Sequence, residues 1–254
     1  MKIFATYNIK GGVGKTATAV NLSYLAAMDG YRVLLWDLDP QGAASFLFRV
    51  KPRVKGGGKA LIQGRRSMDD AIKGTDFGGL DLIPADFTYR NLDLMLDSAK
   101  QPARRLAGLL APLRKEYDVV FLDCPPSISL LSESVLHAAD LLLVPLIPTT
   151  LSVRTLDQLT DFVSGFNGHK PDILAFFSML DRRKRLHTQI AAELPAGRTD
   201  FAGAVIPAVS VIEQMSVHRA PVTAFAARSQ AAAQYRDLWR EARDRAGLEC
   251  RTAG

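Results

Sequence analysis

At 254 residues, 48% hydrophobic and 23% charged, the chain has a globular composition and enough length for a substantial core, which excludes disordered and fibrous classes. Its net charge of +6 favours an anionic partner, nucleic acid or an acidic membrane surface, without choosing between them. Two cysteines far apart, Cys124 and Cys250, exclude a disulfide framework and a zinc site and make a reducing cytoplasm the expected compartment.

The residues Met1 to Tyr7 run straight into a predicted strand, with no apolar stretch ending in a cleavage site, so no signal peptide is expected. Further along, Val33 to Trp36, Leu80 to Ile83, Val119 to Leu122, Leu141 to Leu146, Ile173 to Met179 and Ala204 to Ile206 read, like Ile3 to Tyr7, as short apolar strands. Amphipathic helical patterns fill the gaps. Fully apolar strands alternating with helices predict an α/β fold: a mostly parallel twisted sheet of about seven or eight strands, helices on both faces, and ligands at the strands' C-terminal ends. The stretch from Leu141 to Ile147 follows Asp140 and is broken by Pro145, so it is too short to span a bilayer.

One domain over residues 1–254 accommodates these elements, with one segment out of rhythm. Between residues 49 and 66, Arg49, Lys51, Arg53, Lys55, Lys59, Arg65 and Arg66 surround Gly56, Gly57 and Gly58 with no acid among them. That composition reads as a mobile basic loop, either a contact for an anion or nucleic acid or a solvated insertion.

The strongest chemical signal lies after the first strand, in Lys10-Gly11-Gly12-Val13-Gly14-Lys15-Thr16-Ala17. Small residues let backbone N–H groups approach phosphate oxygens, and the dipole of the following helix favours anions. Lys15 is placed to lie against the β and γ phosphates of a nucleotide. The Thr16 hydroxyl is placed to ligate Mg²⁺. The pattern G-x-x-x-x-G-K-[ST] wants glycine where Ile9 stands, and a lysine follows it.

With Lys10 in that place, the loop resembles the deviant Walker A motif of the ParA and MinD group of ATPases. The resemblance implies a P-loop NTPase fold, ATP and Mg²⁺ as ligands, and slow hydrolysis stimulated by a partner. It assigns Lys10 to the phosphates of the other subunit in an ATP-dependent sandwich homodimer. Leu34-Leu35-Trp36-Asp37-Leu38-Asp39-Pro40-Gln41-Gly42 is similar to the family's switch I, which gives Asp39 the attacking water and Asp37 the magnesium hydration shell. Val119 to Pro126 is similar to its Walker B and switch II, which sets Asp123 against the magnesium waters. Either aspartate alone reads equally as a helix cap; three motifs in family order read as one site.

The likeness extends through Ile206-Pro207, Arg219-Ala220-Pro221 and Arg228 to Tyr235, and is closest to ParA/Soj partition ATPases. It implies an adenine site between the loops after Met179 and Ile206, with Pro207 at it. It also implies non-specific DNA binding by the ATP dimer, a nucleoid-associated location in the cytoplasm, and a ParB-like or other activating or cargo-adaptor protein. Candidate DNA contacts are Arg219, Arg228 and the cluster Arg182, Arg183, Lys184 and Arg185. Ala208 and Gln230 replace basic residues of the family, Ala17 a phosphate-side threonine, and Ala43 an asparagine after Asp-Pro-Gln-Gly.

Two alternatives stand beside this reading. A MinD-like membrane-switching ATPase requires an amphipathic terminal helix free to lie on a bilayer, whereas Leu238, Ala242 and Ala246 are ringed by Arg236, Arg240, Arg243 and Arg245, so a core-packing helix and no membrane contact are expected. An electron-transfer ATPase requires cysteines to hold an iron–sulfur cluster, a pattern that Cys124 and Cys250 do not supply.

Overall fold

The computed structural model describes residues 1–166 and 168–251. Eight strands form one sheet: β1 (Lys2–Thr6), β2 (Val33–Asp37), β3 (Lys73–Gly74), β4 (Leu80–Ile83), β5 (Val119–Asp123), β6 (Leu141–Leu146), β7 (Asp172–Leu180) and β8 (Phe201–Pro207). Their order is β3-β4-β2-β5-β1-β6-β7-β8, and every pairing is parallel except that of β3 with β4. The predicted α/β class and every predicted strand are present. The added strand β3 has only two exposed residues, too few to carry a periodic pattern.

Alternate residues of each strand enter two separate cores. Ile3, Leu34, Trp36, Val120, Leu122 and Leu142 face one side, while Phe4, Val33, Leu35, Phe121, Leu141 and Leu143 face the other. Residues with period two and no polar face are what a sheet covered by helices on both sides demands. Helices Leu130–Ala138 and Thr150–Ser164 cover the first side through Val135, Leu136, Leu156 and Leu159. Helix α1 (Lys15–Met28) and the helix Gln230–Arg245 cover the second. The latter buries Tyr235, Leu238, Trp239 and Ala242, and its Trp239 ring packs against Phe4, Phe121 and Tyr31.

Pro145 sits inside β6 at a place where a missing N–H costs nothing to β1. That strand pairs with β6 only as far as Leu143, and the Pro145 carbonyl then accepts a bond from Asn8 Nδ2 at 2.8 Å.

The segment from 49 to 66 departs from the expected open loop. After α2 (Ala43–Leu47), a second short helix, α3 (Gly58–Ile62), forms within the basic run. Val54, Leu61 and Ile62 are buried in the first core. The Val54 amide donates to Asp86 Oδ2 at 2.9 Å, and Arg105 Nε donates to the Ile62 carbonyl at 2.5 Å. Charge density concealed these three apolar anchors in the sequence, because they are too sparse to set a period. No helix among the described residues is long and apolar enough to cross a membrane.

Candidate nucleotide-binding site

Three adjacent strands, β2, β5 and β1, end at the same level. Register pairs Asp37 with Asp123 and Asp123 with Thr6, so the two carboxylates predicted from separate motifs become neighbours. The loop after β1 rises beside them. Asn8, itself buried, holds its path: its side-chain oxygen accepts the Lys10 amide at 2.9 Å while its Nδ2 is tied to Pro145. Gly12 and Gly14 have φ values of 69° and 96°, in the left-handed region that favours glycine. A Cβ at Gly14 would also lie 2.7 Å from Ser178 Oγ, so both backbone and space exclude a side chain there.

Gly14 begins α1 without any side-chain cap. The first N–H groups of a helix have no carbonyl within it, and here Lys15, Thr16 and Ala17 present theirs at a cleft of about 250 Å³ lined by residues Gly11 to Ala17, Asp39, Pro126 and Met179. Val13 is buried, so it contributes backbone. Lys15 is buried as well, and its Nζ donates to the Lys10 carbonyl at 3.0 Å. Burial lowers the Lys15 pKa, against the opposing pull of Asp123, Cys124 and Asp39. The Lys10 side chain is exposed, next in the chain to Gly11 of the cleft.

Asp37 Oδ2 accepts both the backbone N–H and the hydroxyl of Ser45, at 2.8 and 2.7 Å. Its Oδ1 is buried with no hydrogen-bond partner, as is Asp123 Oδ2. Burial pushes the Asp37 carboxyl up to about 6, with the Ser45 bonds opposing. Burial and then repulsion from Asp37 raise Asp123 well above the usual carboxylate range, while Thr16 and Lys15 act in the opposite direction. Two buried carboxylate oxygens without donors, beside a threonine hydroxyl and a phosphate-type loop, are the donor chemistry for a hydrated Mg²⁺. Among the described residues no three acidic, histidine or cysteine side chains gather into a complete metal cage, so Mg²⁺ here would depend on water and phosphate oxygens for most of its shell.

Asp39 is half-buried and faces the same cleft, with its Oδ1 accepting the Gln41 amide at 2.9 Å. Behind the loop, the Tyr7 hydroxyl donates to the Ser127 carbonyl at 2.7 Å and lies 3.1 Å from Ser132 Oγ, anchoring the chain that follows Asp123.

A second cleft of about 350 Å³ shares Gly14, Ala17 and Met179 with the first and continues between Ile206, Pro207 and Tyr235. Met179, at φ 56°, is one of three non-glycine residues with left-handed backbone among those described, which turns the chain at the junction of the two clefts. Together they form one continuous depression that runs from the phosphate loop to Pro207.

The six expected DNA contacts do not form one free patch. Arg183 is held by Asp181 through Nε to Oδ1 at 2.9 Å and lines the second cleft. Arg219 donates from Nε to the Phe46 carbonyl at 3.0 Å, with its guanidinium 4.6 Å from the Phe46 ring centre. That contact lies on α2, after β2, whereas Arg182, Arg183 and Lys184 follow β7, four strands away in the sheet. Arg182, Lys184, Arg185 and Arg228 are exposed.

Sequence reasoning missed Thr6, Asn8 and Ser45, which bond to motif residues or their loop, and Ser178, which lies against Gly14. Each is an isolated small polar side chain, and no spacing along the chain marks it.

Residues 1–175 match a family model described as an AAA domain. The sporulation initiation inhibitor protein Soj of Bacillus subtilis is 34% identical over 246 residues, covering 94% of this chain and 97% of that protein. The chromosome partitioning protein ParA of Caulobacter vibrioides is 32% identical over 251 residues, covering 95% and 93%. A crystal structure of cobyrinic acid a,c-diamide synthase from Mycobacterium smegmatis, with bound ADP and magnesium, is similar with a TM-score of 0.79 at 25% identity over 100% of this chain and 99% of that one. With the loop, both strand-end carboxylates and the full-length likeness in agreement, the chain belongs to the ParA/Soj-type family of P-loop partition ATPases.

Proposed function

We propose that this chain is a positioning ATPase that forms a sandwich dimer with ATP, binds duplex DNA without sequence preference, and segregates or spaces a plasmid, a chromosome or a protein assembly. The observation that carries the reading is the convergence of the phosphate loop with Asp39 at one cleft, the buried Asp37 and Asp123 standing side by side behind Lys15 and Thr16, and an exposed Lys10 next to Gly11. Such a cleft is half of a site that a second copy completes.

In this reading the amides of Gly11 to Ala17 cradle the phosphates, and Lys15 leaves the Lys10 carbonyl to neutralise the β and γ oxygens. Thr16, Asp37 and Asp123 would hold hydrated Mg²⁺, which when bound would supply the positive charge that stabilises phosphoryl transfer. Asp39 orients the water and takes its proton, and Lys10 reaches the partner's phosphates. Hydrolysis is slow until a ParB-like or other adaptor engages the dimer, and return to ADP releases it from the nucleoid. The membrane-switching alternative needs a free terminal helix, and the helix Gln230–Arg245 packs its apolar face into the core.

The test combines ATP turnover, light scattering and binding to random-sequence duplex. Lys15→Ala is expected to lose nucleotide binding, Lys10→Ala to bind ATP as a monomer, and Asp39→Ala to accumulate as a DNA-bound dimer. Wild-type protein that stays monomeric with ATP, or that binds DNA equally with ATP and ADP, overturns the proposal.

A further inference from the structure

The basic residues of this chain are not spread evenly. Residues 49–66 hold seven cations and no acid, while the whole chain carries +6, so the remainder of the molecule is at −1. The positive character that favours an anionic partner therefore belongs to this one segment.

Most of that charge is unpaired. Arg49 bonds to Asp76 at 3.2 Å and to the His218 carbonyl at 3.1 Å, and Arg66 lies 3.9 Å from Asp70, the second of two acids that follow the run. Lys51, Arg53, Lys55, Lys59 and Arg65 are exposed, and among the described residues none of the five side chains makes an ion pair or a hydrogen bond. The five are nevertheless carried on anchored backbone. Val54, Leu61 and Ile62 point into the core between them, Asp86 holds the Val54 amide, and Arg105 holds the Ile62 carbonyl.

A surface that attaches to lipid presents bulky apolar side chains beside its cations. Here Val54, Leu61 and Ile62 are buried, and the exposed residues from 51 to 65 are the five cations with Pro52, Gly56 and Gly64. Cations on short anchored backbone, without long aliphatic or aromatic companions in the segment, suit the evenly spaced phosphates of a nucleic acid. The segment also adjoins the nucleotide site: Pro52, between Lys51 and Arg53, packs on Gly42, where a Cβ would meet the Pro52 ring at 3.1 Å, and Gly42 follows Asp39 by three residues.

We propose that Lys51, Arg53, Lys55, Lys59 and Arg65 form the principal surface of this chain for the phosphate backbone of duplex DNA, ahead of the Arg182, Lys184 and Arg228 positions. The inference rests on the DNA-binding reading above and names the surface that serves it. It gives a measurable salt dependence, because each neutralised phosphate contributes about 0.9 to the slope of log affinity against log salt.

The experiment measures binding of the full chain with ATP to a random-sequence duplex across a salt series. The neutralised variant is Lys51→Gln/Arg53→Gln/Lys55→Gln/Lys59→Gln/Arg65→Gln. It is compared with a charge-retaining variant, in which each Lys becomes Arg and each Arg becomes Lys, and with Arg182→Gln/Lys184→Gln/Arg228→Gln; melting temperatures check that all are folded. Expected are a slope lower by about 4.5 per protomer in the neutralised variant, near wild-type binding in the charge-retaining one, and a smaller change in the third. A neutralised variant whose slope falls by less than one, or a third variant that loses more, overturns the assignment while leaving DNA binding itself intact. Wild-type protein that ignores DNA overturns both readings. In that event, binding to phosphatidylserine vesicles lost in the neutralised variant identifies the surface as a lipid contact instead.

Discussion

Replacing Ser45 by alanine tests how the acid pair is held. The Ser45 hydroxyl is fully buried and makes two bonds, donating to Asp37 Oδ2 at 2.7 Å and accepting the Ala85 amide at 2.9 Å. Ser45→Ala keeps the backbone N–H bond to Asp37 but removes both of these. An orphaned buried N–H costs about 1–3 kcal/mol, and a bond to a charged group contributes about 1.5–3 kcal/mol. Since coupled losses do not simply add, the expected destabilisation is about 2–4 kcal/mol, a large part of the roughly 5–15 kcal/mol typical of a folded domain. Urea unfolding without nucleotide measures it.

The deficit should also depend on pH. A bond that favours the charged carboxylate is lost, so Asp37 moves further above its present value of about 6. A carboxyl raised in the folded state contributes stability that is complete below its unfolded value and is lost as pH rises through the folded value. The Ser45→Ala deficit is therefore larger at pH 8 than at pH 5. In a double-mutant cycle with Asp37→Asn, the coupling at pH 8 should be about 1–2 kcal/mol. A single-mutant loss under about 0.5 kcal/mol, or a deficit that does not change with pH, would refute the argument.

Gly14→Ala combines left-handed backbone with a Cβ 2.7 Å from Ser178 Oγ, and a cost of about 1–3 kcal/mol at the phosphate loop lowers ATP affinity roughly 10- to 100-fold. Adding Ser178→Gly should restore only the part due to contact, and titration with a fluorescent ATP analogue separates the two; wild-type affinity in Gly14→Ala contradicts the geometry. On edge strand β8, Glu241 accepts the amides of Gly203 and Ala204 at 2.7 and 2.8 Å, and Gln234 accepts that of Val205 at 2.7 Å. Glu241→Ala/Gln234→Ala uncovers these amides, so faster hydrogen exchange at 203–205 and association that grows with concentration are expected; unchanged exchange rates would show that the side chains do not cover the edge.

Much of the site was legible because its signals are local. The phosphate loop depends on glycine and lysine within a few residues, and an aspartate ending an apolar run marks a strand end wherever the strand lies in the sheet. The segment from 49 to 66 was legible only in its charge, since Val54, Leu61 and Ile62 are too few to reveal an anchored backbone. Arg183 and Arg219 illustrate a different limit. Their engagement by Asp181 and by the Phe46 carbonyl and ring is a matter of local turn geometry in one case and of contact across 173 residues in the other.

The order of apolar runs, the phosphate loop and the two strand-end acids were determined along the chain, because hydrophobic period and motif spacing are properties of neighbouring residues. The sheet order decided that Asp37, Asp123 and Thr6 meet, and the packing of the loops at the strand ends decided that Ser45 bonds to Asp37, that Ser178 lies against Gly14 and that the basic segment rests against Gly42. Those contacts depend on which strands lie side by side, and burial of apolar surface on both faces of the sheet selects that arrangement without leaving a spacing that can be read in advance.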